Sequence, residues 1–296
     1  MLKLKILAGL MVVSLSIFGN KTANDSIRIV IQDLCWSPDD HFIYFSAMKV
    51  KADYSDYRPE LWTVYRYDLI NKQVKVIAES ALNVAVSPDG KQLAIGLNEG
   101  GGRKIYLSDN LGNSRQLLIE MGTKSAAPCW SPSGDRIIFN SNKSGNTEIY
   151  CWYKQSNQIV QLTDSEGHQA YNPTWSPDGK HIAYYLEKGD GMDQIHVIKA
   201  DGSKDRNITS DNFNNIFPAW FGKKNIIYGQ DSKTGKAKLF EIKINGKGKK
   251  QVDQIESFFG RFSGNGSMIA YVDTEEGCIV IMDRKRKSVI DRVFPI

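Results

Sequence analysis

Asn172-Pro173-Thr174-Trp175-Ser176-Pro177-Asp178-Gly179 is the stretch on which the fold turns. Proline pre-sets φ at the second position of a tight turn. Serine suits the first position, aspartate the third and glycine the fourth. The apolar Trp175 closes one strand, and Ile182-Ala183-Tyr184-Tyr185 opens the next. The unit recurs as Trp36-Ser37-Pro38-Asp39-Asp40, Val86-Ser87-Pro88-Asp89-Gly90 and Trp130-Ser131-Pro132-Ser133-Gly134. Two degraded copies follow at Trp220-Phe221-Gly222-Lys223-Lys224 and Phe262-Ser263-Gly264-Asn265-Gly266. Successive anchors lie 50, 44, 45, 45 and 42 residues apart, the period of a four-stranded propeller blade.

Each repeat continues the same way. After the turn comes an apolar run, then a polar loop. A third strand alternates, as in Gln194-Ile195-His196-Val197-Ile198, and a short fourth strand ends the unit, as in Arg206-Asn207-Ile208-Thr209. No long amphipathic helix interrupts the order. The expected fold is all-β: a six-bladed β-propeller of four-stranded antiparallel blades, occupying residues 32–296 as one domain. The strand-like Ile27-Arg28-Ile29-Val30-Ile31, within the segment 20–31, is expected as an extra edge strand that shields the last blade and closes the ring.

The units resemble the TolB-like propeller repeats, which also recur in the propellers of prolyl-oligopeptidase-like enzymes. Asn142-Lys143-Ser144-Gly145-Asn146-Thr147-Glu148-Ile149-Tyr150 and Gln161-Leu162-Thr163-Asp164, followed by the stretch quoted first, carry the likeness most fully. It covers roughly residues 32 to 293 and speaks for fold far more than for function. TolB has an additional domain ahead of its propeller; none is expected before the first repeat here.

Composition narrows the function. Apolar residues make up 41% and charged residues 24%, as in an ordinary globular protein. Lys3 and Lys5 precede the uncharged run from Ile6 to Phe18, and Gly19 is small enough for peptidase cleavage. Residues 1–19 read as a secretory signal peptide, with a mature start near Asn20 and a secreted or periplasmic location. The alternative is a buried N-terminal helix. The formal charge of +5 then falls to about +3, which speaks against nucleic acid as a partner. No transmembrane segment is expected after signal removal, and a monomer is expected. Cys35, Cys129, Cys151 and Cys278 match no zinc or redox spacing and read as small buried hydrophobes.

Loops between second and third strands share a face with the blade-to-blade connectors and surround one mouth of the channel. Lys124, His168, Tyr171, Asn172, Asn215, Glu256 and Phe258 are the ligand-binding candidates there: amides, aromatics and a few charges, suited to a glycan or a peptide. Catalytic residues, metal and cofactor are expected to be none. No Gly-x-Ser-x-Gly elbow is present, and Asp53, Asp56, Glu60 and Glu99 read as solvated loop charge. Histidines hold a metal at the channel mouth of oligogalacturonate lyases, but His168 has no histidine partner here. On the opposite face, Lys224, Lys247, Lys249, Lys250, Lys285 and Arg286 gather as a basic patch suited to an anionic surface or partner. The reading is a binding or scaffold module for a protein or glycan. The alternative is a carbohydrate-active, oligogalacturonate-lyase-like or peptidase-related enzyme with its site at the mouth.

Overall fold

The computed structural model describes residues 26–189, 192–231 and 236–295, together with the backbone of Lys5–Leu7 and Leu10–Val12, which pair antiparallel. The rest of the segment read as a secretory signal lies outside the described residues. Six four-stranded sheets follow one another, each a simple meander. Blade 1 is Ile27–Trp36, Phe42–Lys51, Thr63–Asp68 and Gln73–Glu79; blade 6 is Gly260–Phe262, Met268–Asp273, Cys278–Asp283 and Ser288–Val293. The first strands of neighbouring blades touch one another, so they line the channel. The fourth strands are outermost, and Gln158–Gln161 of blade 3 is exposed throughout.

The turn motif works as its chemistry requires. Ser87 Oγ donates to Asp89 Oδ1 at 2.6 Å and accepts the Gln92 amide at 2.9 Å. Ser37, Ser176 and Ser263 repeat the pair of bonds, and in blade 3 Asp135 replaces the missing aspartate by accepting from Ser131 at 2.8 Å. The turn also joins blades. Pro38, Pro88 and Pro132 lie against the turn glycine of the next blade, at Gly90, Gly134 and Gly179. The anchor indoles of Trp36 and Trp220 donate to the backbone of the preceding blade, at Arg261 O and Thr174 O, both at 3.0 Å.

Ring closure corrects one expectation. Ile27–Ile31 adds no strand to the last blade. It is the start of blade 1's own first strand and pairs with Phe42–Lys51 from Ile27↔Lys51 onward, with a bulge between Ile31 and Asp33. Blade 6 completes its four strands by itself and meets blade 1 face to face. Asp40 reaches across to accept the amides of Gly264 at 2.6 Å and Asn265 at 3.3 Å. Lys72 and Tyr67 of blade 1 hold Asp291 of blade 6.

All four cysteines are free. Cys129 and Cys151 both pair with Ile138, from opposite sides. Two strand spacings, roughly 9–10 Å, separate them, which is beyond disulfide reach. Burial pushes the thiols of Cys151 and Cys278 up to about 11, so both stay protonated and are poor nucleophiles at neutral pH.

Candidate binding site at the channel mouth

The residue three before each anchor faces the channel. In order these are Asp33, Asn83, Ala127, Asn172, Phe217 and Phe259. The first strands bulge here, and Ala127, Asn172 and Phe217 sit at positive φ of 49°, 50° and 54°. Neighbours touch in two groups. Asn83 Nδ2 donates to Asp33 at 3.4 Å and Asn83 Oδ1 accepts the Ala127 amide at 3.1 Å; Phe217 and Phe259 meet edge to face with centroids 5.2 Å apart.

The channel is therefore polar on one side and aromatic on the other. On the polar side Asp33 also accepts the Val84 amide at 3.0 Å. Burial raises its carboxyl above the usual range, against the pull of that amide and of Arg261. Arg261 stacks over Phe259 at 4.2 Å, and burial depresses its guanidinium. On the aromatic side Tyr171, Tyr185, Phe217 and Phe259 form an unbroken run, with successive centroids 5.5, 5.9 and 5.2 Å apart. The run opens beside a cleft of about 500 Å³ between blades 6 and 1, to which Phe217, Phe258 and Phe259 contribute.

The sequence-derived candidates divide. Tyr171 and Asn172 lie on the first strand of blade 4, with Tyr171 half-buried against Tyr185. Phe258 lines the cleft, and His168 is half-buried on the rim with its backbone tied to Ser165. Asn215 is different: it is fully buried. Its amide donates to Asp211 at 2.7 Å and to Phe213 O at 3.0 Å, and it accepts from Gln230 at 2.6 Å, so it props the blade 4–5 connector. Glu256 is exposed and paired with Lys236 at 2.9 Å. The Lys124 amide bonds Asn142 Oδ1 at 3.0 Å. Tyr185, Phe217 and Phe259 were missed. For Phe217 and Phe259 the signal is their fixed offset from the anchors; Tyr185 lies on a second strand and carries no such signal.

The basic patch also loses a member. Lys249 turns off that face, crosses the Phe240 ring at 4.7 Å and binds Asp211 at 2.6 Å and Gln230 at 3.2 Å. Lys250 pairs with Glu241 at 3.3 Å. Lys224, Lys247, Lys285 and Arg286 remain exposed, with Lys223 among them. Arg284, next to Lys285 in sequence, stacks its guanidinium on Phe221 and Phe262 at 4.7 and 4.3 Å.

Among the described residues, Asp273, Glu276 and Cys278 bring two carboxylates and a thiol together. The Arg292 guanidinium already occupies the spot, 2.7 Å from Glu276 and 3.4 Å from Asp273.

Comparison with known proteins accords with this architecture. The TolB beta propeller domain family matches residues 22–185 and 155–294. A Tol-Pal system protein TolB from Anaeromyxobacter dehalogenans (strain 2CP-C) is 30% identical over 117 residues, 40% of this chain and 26% of the relative's own length. The crystal structure of TolB from Acinetobacter baumannii superposes with a TM-score of 0.62 at 19% identity, over 74% of this chain and 53% of that one. An oligogalacturonate lyase in complex with manganese gives 0.59 at 12% identity, over 89% and 77%. At such identities the structural likeness speaks for fold alone.

Proposed function

The chain belongs to the TolB beta propeller domain family, and on that premise we propose that it is a protein-binding module working outside the cytoplasm. It takes its partner at the channel mouth, in an assembly of the kind for which its Tol-Pal relatives are named. One observation supports the reading: the aromatic run from Tyr171 ends at Phe217 and Phe259, which help wall a concave cleft of mixed polarity. Rigid aromatics in a concave, partly desolvated setting are what anchor protein partners. The N-terminal charge-then-apolar order supports export, and no helix of the described residues is long and apolar enough to cross a membrane.

The enzyme reading finds less support. A metal site needs convergent ligands. His41 and His181 lie beside tight turns on the far face, and His196 is buried in a third strand against Asp205 at 3.1 Å. His168 is left alone at the mouth.

The test is affinity capture from envelope extract with the mature protein, followed by identification of what binds. Tyr171→Ala should weaken capture about tenfold, the scale of one lost aromatic anchor, while the domain stays folded. Undiminished capture sinks the mouth site. A glycan retained in place of any protein moves the partner to the other class.

A further inference from the structure

The two degraded repeats share a consequence for charge. Blades 1, 2 and 4 keep an aspartate in the turn between first and second strands, and blade 3 substitutes Asp135. Blade 5 reads Phe221-Gly222-Lys223-Lys224 there and blade 6 reads Ser263-Gly264-Asn265-Gly266, so both have lost the carboxylate. The turns between third and fourth strands lie on the same face, because each blade is a simple meander. In blades 5 and 6 those turns supply Lys247, Lys285 and Arg286. With Lys223 and Lys224 they are exposed, and none of the five has an ion-pair partner among the described residues. Asp283 stands next to this group and caps the Arg286 amide at 2.8 Å. Elsewhere on the face the balance is closer. Asp89, Asp135 and Asp178 each stand within two residues of Lys91, Arg136 or Lys180. In blade 1, Asp39 is bound to Ser37, and Asp40 to the amides of Gly264 and Asn265.

Two apolar side chains stand on the same face. They sit in the third-to-fourth-strand turns of blades 1 and 2, and blade 1 adjoins blade 6. Ile70 is 68% exposed and Leu111 is 50% exposed. Asp68 and Asp109 accept their amides, each at 2.9 Å. Those carboxylates end their strands and are half-buried, so the apolar side chain stands further out than the carboxylate. The face is also level. No turn on it exceeds six residues, whereas on the opposite face the loop after Lys51 runs to Trp62. A soluble polyanion would engage the cations and leave the apolar tips in water. A bilayer of anionic lipid is flat and engages both, with headgroups on the lysines and apolar side chains in the interface.

We propose that this face docks on an anionic lipid bilayer, with Lys223, Lys224, Lys247, Lys285 and Arg286 against the headgroups and Ile70 and Leu111 entering the interface. The site goes beyond the protein-binding reading and shares no residue with the mouth.

The test is sedimentation of the mature protein with vesicles of phosphatidylcholine, with and without phosphatidylglycerol. A heparin column serves as the probe of charge alone. Binding is expected only to the vesicles that contain phosphatidylglycerol. Ile70→Ser combined with Leu111→Ser should weaken that binding about tenfold, while the salt needed to release the protein from heparin stays unchanged. Both side chains are exposed and belong to no core cluster, so the fold should hold, and each single variant gives a second reading. Reversal of Lys224, Lys285 and Arg286 to glutamate should remove the protein from vesicles and heparin alike. Failure to bind the phosphatidylglycerol vesicles overturns the proposal, as does equal binding to phosphatidylcholine alone. Tip variants that bind the vesicles as well as the parent does also overturn it, and the basic face then belongs to a soluble polyanion.

Discussion

Asp211 shows what one side chain can hold together. It accepts from Asn215, Gln230 and Lys249, joining the blade 4–5 connector to the second and outer strands of blade 5. Burial raises its carboxyl, but the Lys249 ammonium and the two amides outweigh that, and the net result lies below the usual carboxylate range. A depressed carboxyl stabilises the fold above its ordinary value of 3.8 and loses that contribution as the pH falls through the lower, folded value. Asp211→Asn should therefore cost about 1.5–3 kcal/mol at pH 7, the range for hydrogen bonds to a charged group. Denaturant titration should show the gap to the parent narrowing only in strong acid. Lys247→Ala, on an exposed turn, should stay within about 0.5 kcal/mol of the parent. A gap that closes near neutrality would mean that Asp211 is not the group responsible. None of this was legible in the sequence. Lys249 reads as one lysine among several in a turn, and only the Phe240 ring, across which it lies, reveals its direction.

The blade is the unit of stability, and its anchors are the place to test it. Trp130 and Trp175 are 6% and 5% exposed and sit in adjacent apolar clusters, each built from two blades. Trp130→Ala and Trp175→Ala should each cost roughly 3–5 kcal/mol, the usual loss for a large buried aromatic. Melting temperatures equal to that of Lys247→Ala would show that the anchors are not structural. This level of the molecule was readable in advance because the chemistry is local. Ser-Pro-Asp-Gly specifies its own turn, and the turn sets the register of the two strands it joins. Closure was not readable, because Ile27–Ile31 has the pattern of a strand whichever blade it joins. Its partner is decided by the length of Phe42–Lys51, which runs far enough to pair with all of it. The mouth was half readable. Loop position found Tyr171 and Phe258, while Phe217 and Phe259 lie within or beside first strands that appear merely apolar in sequence.

Over the whole molecule, the two faces of the ring differ in kind. One carries the aromatic mouth and the carboxylate-rich rim of Glu256, Asp273, Glu275 and Glu276. The other carries Lys223, Lys224, Lys247, Lys285 and Arg286 in the turns of blades 5 and 6. The channel separates them, so changes on one face should leave binding at the other intact. Reversing Lys224, Lys285 and Arg286 to glutamate should not alter capture of a protein partner at the mouth. It should abolish retention on heparin or on vesicles containing anionic lipid. In the parent, that retention should fade as salt rises, since exposed charges are screened over about 8–10 Å at physiological ionic strength. Lys249 is left out of the reversal because its ammonium is committed to Asp211. Tyr171→Ala should give the converse result, with the partner lost and retention on the anionic matrix kept. If the triple reversal removes the partner and Tyr171→Ala does not, the working surface is the basic face and the mouth is only the hub of the propeller. If each variant removes only its own ligand, the protein is two-sided and can hold a partner at its mouth while its far face rests on an anionic surface.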